Sequence, residues 1–225
     1  RARILDAAFA EFAPKPDTKR RWIQLSDGGH FDNTGMYELL RRRMGLILFC
    51  DGSADPEYRF EDLHNVLERA HKDFGIVVEF LDGLELKHMM PRRQADERYP
   101  RRLRCSLHPF AVARIAYPRR IQGLDHGQAA VGTLVVMSTV VTRHASLAVL
   151  AHKDVHRDFP DESTMDQFFE EGQFESYREL GWNNAWIAMT MLDVTASPKG
   201  LRIPAYDPGR AVGALRQKLN AKQFL

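Results

Sequence analysis

A chain of 225 residues, 44% of them hydrophobic, can bury a sizeable core, so we expect a globular protein. Its 32 basic and 30 acidic residues leave a formal net charge of +2, which gives no global electrostatic reason to expect a nucleic-acid partner. Cys50 and Cys105 have neither metal-ligand spacing nor the density of a disulfide framework. This cysteine usage fits a reducing compartment, and we expect a cytoplasmic or membrane-associated protein.

The chain opens at Arg1 with an amphipathic segment rather than a signal peptide, so we expect it to belong to a larger parent protein. The longest apolar stretch, 129–150, is interrupted by Arg143 and His144 and is rich in Val and Thr. This composition favours strands over a membrane span.

Residues 20–80 alternate between strand and helix patterns. The predicted order is a strand at 22–25, a helix from the capping residues 32–34 to Gly45, a buried central strand at 46–50, a helix at 60–74 and a strand at 76–80. In the second helix the apolar residues recur at spacings of three and four, and Gly75 follows at the C-cap position. This βαβ rhythm predicts an α/β fold with a largely parallel central sheet and helices on its faces.

The second half of the chain is predicted to complete the same domain. After a basic loop at 82–104, the expected elements are two paired strands on the sheet's edge at 110–117 and 132–141, a helix capped by Ser163 and ended by Gly181, and a last short helix at 211–219. We therefore divide the chain into a catalytic-core portion, 1–120, and a portion with the remaining edge strands and C-terminal helices, 121–225.

The segment LSDGGHFDNT, 25–34, carries the clearest chemical signal. Asp27 ends a predicted strand, and Gly28 and Gly29 let the backbone turn away, which presents the carboxylate where α/β sheets bind ligands. Such a carboxylate can take a proton from a serine or water nucleophile. By spacing alone, an ordinary strand-to-loop turn is the commoner interpretation. His30 could orient Asp27 or contact substrate, although a lone turn histidine usually makes local hydrogen bonds.

Three separated blocks, however, resemble bacterial patatin-like phospholipases. They are LSDGGHFDNTGMYELLRRR, LILFCDGSADPEYRFEDLHNVLERAHKDFGI and FPDESTMDQFFEEGQFESYRELG. The resemblance covers most of 20–80 and 155–182. It implies a three-layer patatin-like α/β fold and a serine lipid acyl hydrolase without a cofactor. It also implies that Asp27, in the position of the aspartate in the family's DGG or DGA turn, is the general base of a Ser–Asp dyad.

The chain departs from the family pattern in lacking a G-x-S-x-G nucleophile elbow. We expect the serine and the glycine-rich oxyanion loop to lie upstream of residue 1, which would leave the fold incomplete at its N-terminus. The intact parent is accordingly expected to hydrolyse lipid or acyl esters, while this chain alone is expected to be inactive.

Two other functions remain open. Asp51 and Asp55 end a predicted strand and could hold Mg²⁺ in a phosphohydrolase, but the second Asp two residues after the first is missing, and we prefer a structural role for Asp51 as a cap or ion-pair partner. His64 and His71 are seven residues apart, which does not suit chelation of one ion, so we predict no metal site.

The other alternative is a non-catalytic lipid- or partner-binding module. In that case a basic loop would meet lipid phosphates at a membrane surface, through Arg92, Arg93, Arg101, Arg102 and Arg104. The loop has few interleaved aromatic residues, so a nucleic-acid groove is not expected.

Overall fold

The computed structural model describes residues 31–93, 103–118, 131–163, 165 and 167–192, and the backbone of 195–197 and 200–202. Several predictions lie outside these residues: the strand at 22–25, the turn of Asp27, Gly28, Gly29 and His30, the side chains of Arg101 and Arg102, and the helix at 211–219. The described part is a mixed α/β structure with a four-stranded sheet and helices.

In the first half of the chain the described helices alternate with strands. In the second half, two strands are followed by two helices and then by two short strands. Helices α1 to α4 span Met36–Arg41, Glu61–Phe74, Leu147–Val155 and Glu171–Met191, and a short 3₁₀ helix spans Leu86–His88. Strands β1 to β6 span Leu46–Asp51, Val77–Phe80, Phe110–Ala116, Val131–Ser138, Thr195–Ser197 and Gly200–Arg202. Strands β5 and β6 form a separate antiparallel pair.

The four-stranded sheet has the order β1-β4-β3-β2 and is mixed rather than largely parallel. Strand β1 is parallel to β4, whereas β3 is antiparallel to both β4 and β2. Strands β1 and β2 therefore point the same way, as the predicted βαβ unit requires, but β4 and β3 lie between them. The strands predicted at 46–50, 76–80, 110–117 and 132–141 are confirmed, while the prediction of a largely parallel sheet is wrong for the described residues.

The strand that was predicted to be central lies at the edge of the described sheet, and the strands that were predicted at the edge lie in its middle. Strand β1 was expected to be buried on both faces, yet Leu48 and Cys50 are exposed while Ile47 and Phe49 are buried. The predicted edge strands β3 and β4 occupy the middle of the described sheet. Their long apolar runs fit this position, because a central strand packs side chains against both faces.

Helices α1 and α2 pack on one face of the sheet, and the C-terminal half of α4 packs on the other. The first face carries a core cluster that includes Ala111, Ala113 and Ile115 of β3, together with Met36, Leu40, Leu63 and Val66. The second contains Phe110 and Val112, together with Val135, Ile187, Ala188 and Met191. The alternation along β3 is the two-residue period of a strand.

Helix α1 is held by a carboxylate cap and is shorter than expected. Asp32 accepts hydrogen bonds from the Thr34 backbone (2.9 Å), the Thr34 hydroxyl (2.6 Å) and the Tyr37 backbone (2.9 Å). The helix ends at Arg41, and the left-handed residue after it is Arg43, with φ 57°, rather than Gly45. The Arg43 guanidinium compensates by donating to the Pro118 carbonyl at 2.7 Å.

Helix α2 matches its prediction within one residue. Its C-cap is Gly75, whose φ of 66° is left-handed and whose backbone N–H donates to the His71 carbonyl. The turn before it is fixed by Asp55, whose two carboxylate oxygens accept from the backbone N–H groups of Arg59 and Phe60.

In the second half of the chain, two predictions are corrected: strands throughout 129–150, and a helix that runs from Ser163 to Gly181. The apolar stretch 129–150 contains β4 but ends in α3, which begins at Leu147 after the Ser146 side chain caps the Val149 N–H at 3.2 Å. Helix α4 begins at Glu171, where Glu170 and Gln173 form a capping box, and runs through Gly181 to Met191. No described helix combines the length and the apolar character needed to cross a membrane.

Candidate functional site

A polar cleft of about 240 Å³ opens at the carboxyl end of β1. It is lined by the segment that follows the glycine turn and by the end of β1, namely Asn33, Thr34, Phe49, Cys50, Asp51, Gly52, Ser53 and Asp62. The carboxyl ends of β1 and its parallel neighbour β4 lie side by side here, because Asp51 is in register with Ser138. This is where α/β sheets commonly bind ligands.

Hydrogen bonds fix the two walls of the cleft. On one wall, Asp32 ties the start of α1 to the segment after the glycine turn, and Asn33 donates to Asp62 of α2 at 3.2 Å. Burial alone would raise the pKa of Asp32, but its hydrogen bonds with Thr34, Tyr37 and Gly35 hold the pKa below its usual value. Asp32 is therefore a structural carboxylate that stays ionised and orients this wall.

On the other wall, Asp51 organises the turn after β1. Its Oδ1 accepts from the Ser53 backbone at 2.9 Å and from the Ser53 hydroxyl at 2.6 Å, which confirms the predicted capping role. Although Cys50 is exposed as a residue, partial desolvation of its thiol raises the pKa, which disfavours the thiolate form.

The two carboxylates considered for Mg²⁺ differ in availability. Asp55 uses both oxygens to accept backbone hydrogen bonds, and its own N–H donates to Asp161 at 3.1 Å. A carboxylate so engaged has little capacity left for a metal. Within the described residues, Asp51 and Asp55 do not belong to a group of three potential ligands.

A second, larger cleft of about 410 Å³ carries one of the predicted lipid-surface arginines. Arg104 lines it together with Pro56, Tyr58, Pro91, Val141, Lys153, Arg157, Asp158, Pro160 and Asp161. The Lys153 ammonium donates to the carbonyl oxygens of Arg157 and Phe159, and burial lowers its pKa. Arg92 and Arg93 are exposed but do not line this cleft.

Sequence reasoning missed one cluster of potential metal ligands. His152, His156 and Glu162 place one ligand atom each within 4.8 Å of one another. The signal that could have found it is the i,i+4 spacing of the two histidines, which puts them on one side of a helix. Of the two histidines considered in the sequence, His64 is exposed, and His71 Nδ1 lies 3.0 Å from the Ile76 carbonyl.

Comparison of the chain with protein-family models, with curated proteins and with solved structures finds no match.

Proposed function

We propose that this chain supplies the aspartate of a patatin-like serine lipid acyl hydrolase, with Asp27 as the general base of a Ser–Asp dyad. The observation that carries the proposal is the position of the cleft. Asn33 and Thr34, which belong to the same sequence block as the Asp27-Gly28-Gly29 turn, line a cleft at the carboxyl end of β1.

The proposal is supported by how firmly the segment after the turn is held. Three hydrogen bonds to Asp32 and the Asn33–Asp62 contact fix residues 32–34 against α1 and α2. A catalytic carboxylate works only if the elements around it are rigid, because proton transfer requires hydrogen-bond distances to the nucleophile. We further propose a three-layer patatin-like arrangement, in which helices on both faces of the sheet support this edge.

A lipid substrate is supported by the second cleft. Among the charged side chains that line this cavity, Arg104, Lys153 and Arg157 outnumber Asp158 and Asp161. Pro56, Val141 and Pro160 add apolar lining. Cationic side chains beside apolar surface suit a phosphate-bearing head group attached to acyl chains. Arg92 and Arg93 add exposed positive charge to the same basic segment.

The alternative is a lipid- or partner-binding module without catalysis, and the cationic second cleft would serve it equally well. The two functions differ in whether Asp27 matters for chemistry. The Mg²⁺-dependent phosphohydrolase is disfavoured, because the Asp55 carboxylate is already occupied by backbone N–H groups.

The test compares Asp27→Asn with Asp82→Asn in the full-length protein. Asparagine fits the same turn but cannot act as the base, so ester hydrolysis should fall about 10²- to 10⁴-fold. Labelling by a fluorophosphonate, which reacts with activated serines, should fall with it. Asp82 is exposed, and its variant should retain wild-type activity. Melting temperatures of both variants control for folding.

The 225-residue chain should itself show no turnover of short acyl esters, since a base without nucleophile and oxyanion hole lacks the main catalytic contributions. Activity that survives Asp27→Asn would refute Asp27 as the general base. A full-length protein that shows no ester hydrolysis and that no fluorophosphonate labels would support the binding module. Magnesium-dependent activity that is abolished by Asp51→Asn would instead support the Mg²⁺-dependent phosphohydrolase as the function.

A further inference from the structure

The end of α3 and the loop that follows it bring three side chains with metal-ligand chemistry together. His156 is the C-cap residue of α3, and its backbone N–H donates to the His152 carbonyl at 2.8 Å, so the two histidines are one helical turn apart. Their rings are nearly parallel, with centroids 4.0 Å apart. Glu162 reaches the same place from the loop after α3.

His152 presents a nitrogen that the fold leaves unused. Its Nε2 is buried and has no hydrogen-bond partner, which is costly for a polar atom. The ring is held from one side by Phe159, whose centroid lies 4.9 Å away at a nearly perpendicular angle. A metal ion bound through Nε2 would give this nitrogen a partner.

Glu162 is oriented from α4. Its Oε2 accepts a hydrogen bond from Gln173 Nε2 at 2.6 Å, and its backbone N–H donates to the Tyr177 hydroxyl at 3.4 Å. Gln173 is itself fixed by the capping box at the start of α4. An outer contact that orients a ligating carboxylate is the usual support of a metal ligand in proteins.

We propose that His152, His156 and Glu162 bind a divalent transition-metal ion, with Zn²⁺ as the preferred ion. Two imidazole nitrogens and one carboxylate oxygen are a common zinc ligand set that leaves a fourth position for water. Mg²⁺ and Ca²⁺ select oxygen ligands and fit this set poorly. This site is separate from the cleft at the end of β1 and does not depend on the proposed hydrolase.

The geometry requires little adjustment. Donors of a tetrahedral zinc site, at about 2.0–2.2 Å from the metal, are roughly 3.3 Å apart. The three donors here lie within 4.8 Å of one another, so the pair farthest apart must approach by at most about 1.5 Å to close a tetrahedral site. Bound metal would then link the end of α3 through Glu162 to the first turns of α4.

The test uses the full chain, freed of metal by a chelator and titrated with Zn²⁺ in competition with a chromophoric chelator. His156→Ala should weaken Zn²⁺ binding at least about 100-fold, because loss of a ligand exceeds the roughly 10- to 100-fold effect of outer contacts. Glu162→Gln, which keeps the shape, should weaken it about 10-fold or more. His64→Ala removes an exposed histidine from α2 and should change affinity less than about twofold.

Two further readouts separate this site from adventitious binding. Zn²⁺ should raise the melting temperature of the wild-type chain and of His64→Ala, but not that of His156→Ala, whereas Mg²⁺ should shift none of them. His156 is exposed, so its variant should fold, and circular dichroism verifies this. Equal Zn²⁺ affinity in wild type, His156→Ala and Glu162→Gln would overturn the proposal, as would a Zn²⁺-induced shift that survives in His156→Ala.

Discussion

Replacing Gly132 by alanine should destabilise the fold, although the change adds one methyl group. Gly132 lies in β4, where an added Cβ would lie 2.7 Å from the Met44 carbonyl oxygen and 3.0 Å from the Tyr117 ring. The first of these is a backbone atom, so relief requires a shift of the chain that enters β1. The same carbonyl accepts the Tyr117 hydroxyl at 2.7 Å, and that bond would be disturbed as well.

The magnitude follows from these two effects. Overpacking of a close contact costs about 1–3 kcal/mol, and a strained or lost hydrogen bond adds about 0.5–1.5 kcal/mol. We therefore expect Gly132→Ala to lower the free energy of unfolding by roughly 2–4 kcal/mol. Urea unfolding followed by circular dichroism measures it as a lower midpoint at unchanged slope.

Gly181→Ala is the matched control, because it makes the same chemical change with the opposite expected sign. Gly181 lies inside α4, and an added Cβ would meet nothing within 4 Å. Alanine in a helix is favoured over glycine by about 1 kcal/mol, so this variant should be more stable than wild type. A neutral Gly132→Ala would refute the close approach of β4 to Met44, and a destabilising Gly181→Ala would refute the continuity of α4.

Two further predictions concern buried polar groups. Asn184 Nδ2 donates to the carbonyls of Ser138 (3.2 Å) and Val140 (2.9 Å), so Asn184→Ala should cost about 1–3 kcal/mol in urea unfolding, while the adjacent Asn183→Ala should stay within about 0.5 kcal/mol. Burial, reinforced electrostatically by His88 and Arg92, lowers the pKa of His108 to about 4. The unfolded chain therefore takes up this proton first as pH falls, and stability should decrease from about pH 6.5 towards pH 4. His108→Gln, which stays neutral, should flatten that part of the stability curve, and a slope unchanged by this substitution would contradict the assignment.

Local patterns in the sequence predicted the helices that depend on local interactions. The spacing of Leu63, Leu67 and Ala70 gave α2 because one face of that helix is buried, and Gly75 marks its end because its left-handed φ suits glycine. Gly181, by contrast, was wrongly predicted to end a helix, and α4 continues through it to Met191. A glycine costs a helix only about 1 kcal/mol, and burial of Leu180 and Ile187 on either side outweighs that cost.

Local sequence patterns could not predict the order of the strands in the sheet. Apolar runs at β1, β3 and β4 look alike in sequence, and nothing in the run at β1 shows that its neighbour is β4 rather than β2. The candidate cleft was partly predictable, since the turn at Asp51 follows from a strand end. The ligand cluster was visible only as the spacing of His152 and His156, because Glu162 joins them through the fold of a loop.

The insertion of β4 and β3 between β1 and β2 has a consequence for synthesis of the chain on the ribosome. Strand β1 pairs in parallel with β4, Leu46 opposite Thr133, so its hydrogen-bonding partner is translated long after β1 itself. Until then β1 and the apolar faces of α1 and α2 lack the central strands against which they pack. Contacts so distant in sequence slow folding and leave strand edges open to wrong partners. Nascent chains stopped before residue 131 should accordingly recruit chaperones, and those extended past β4 should release them.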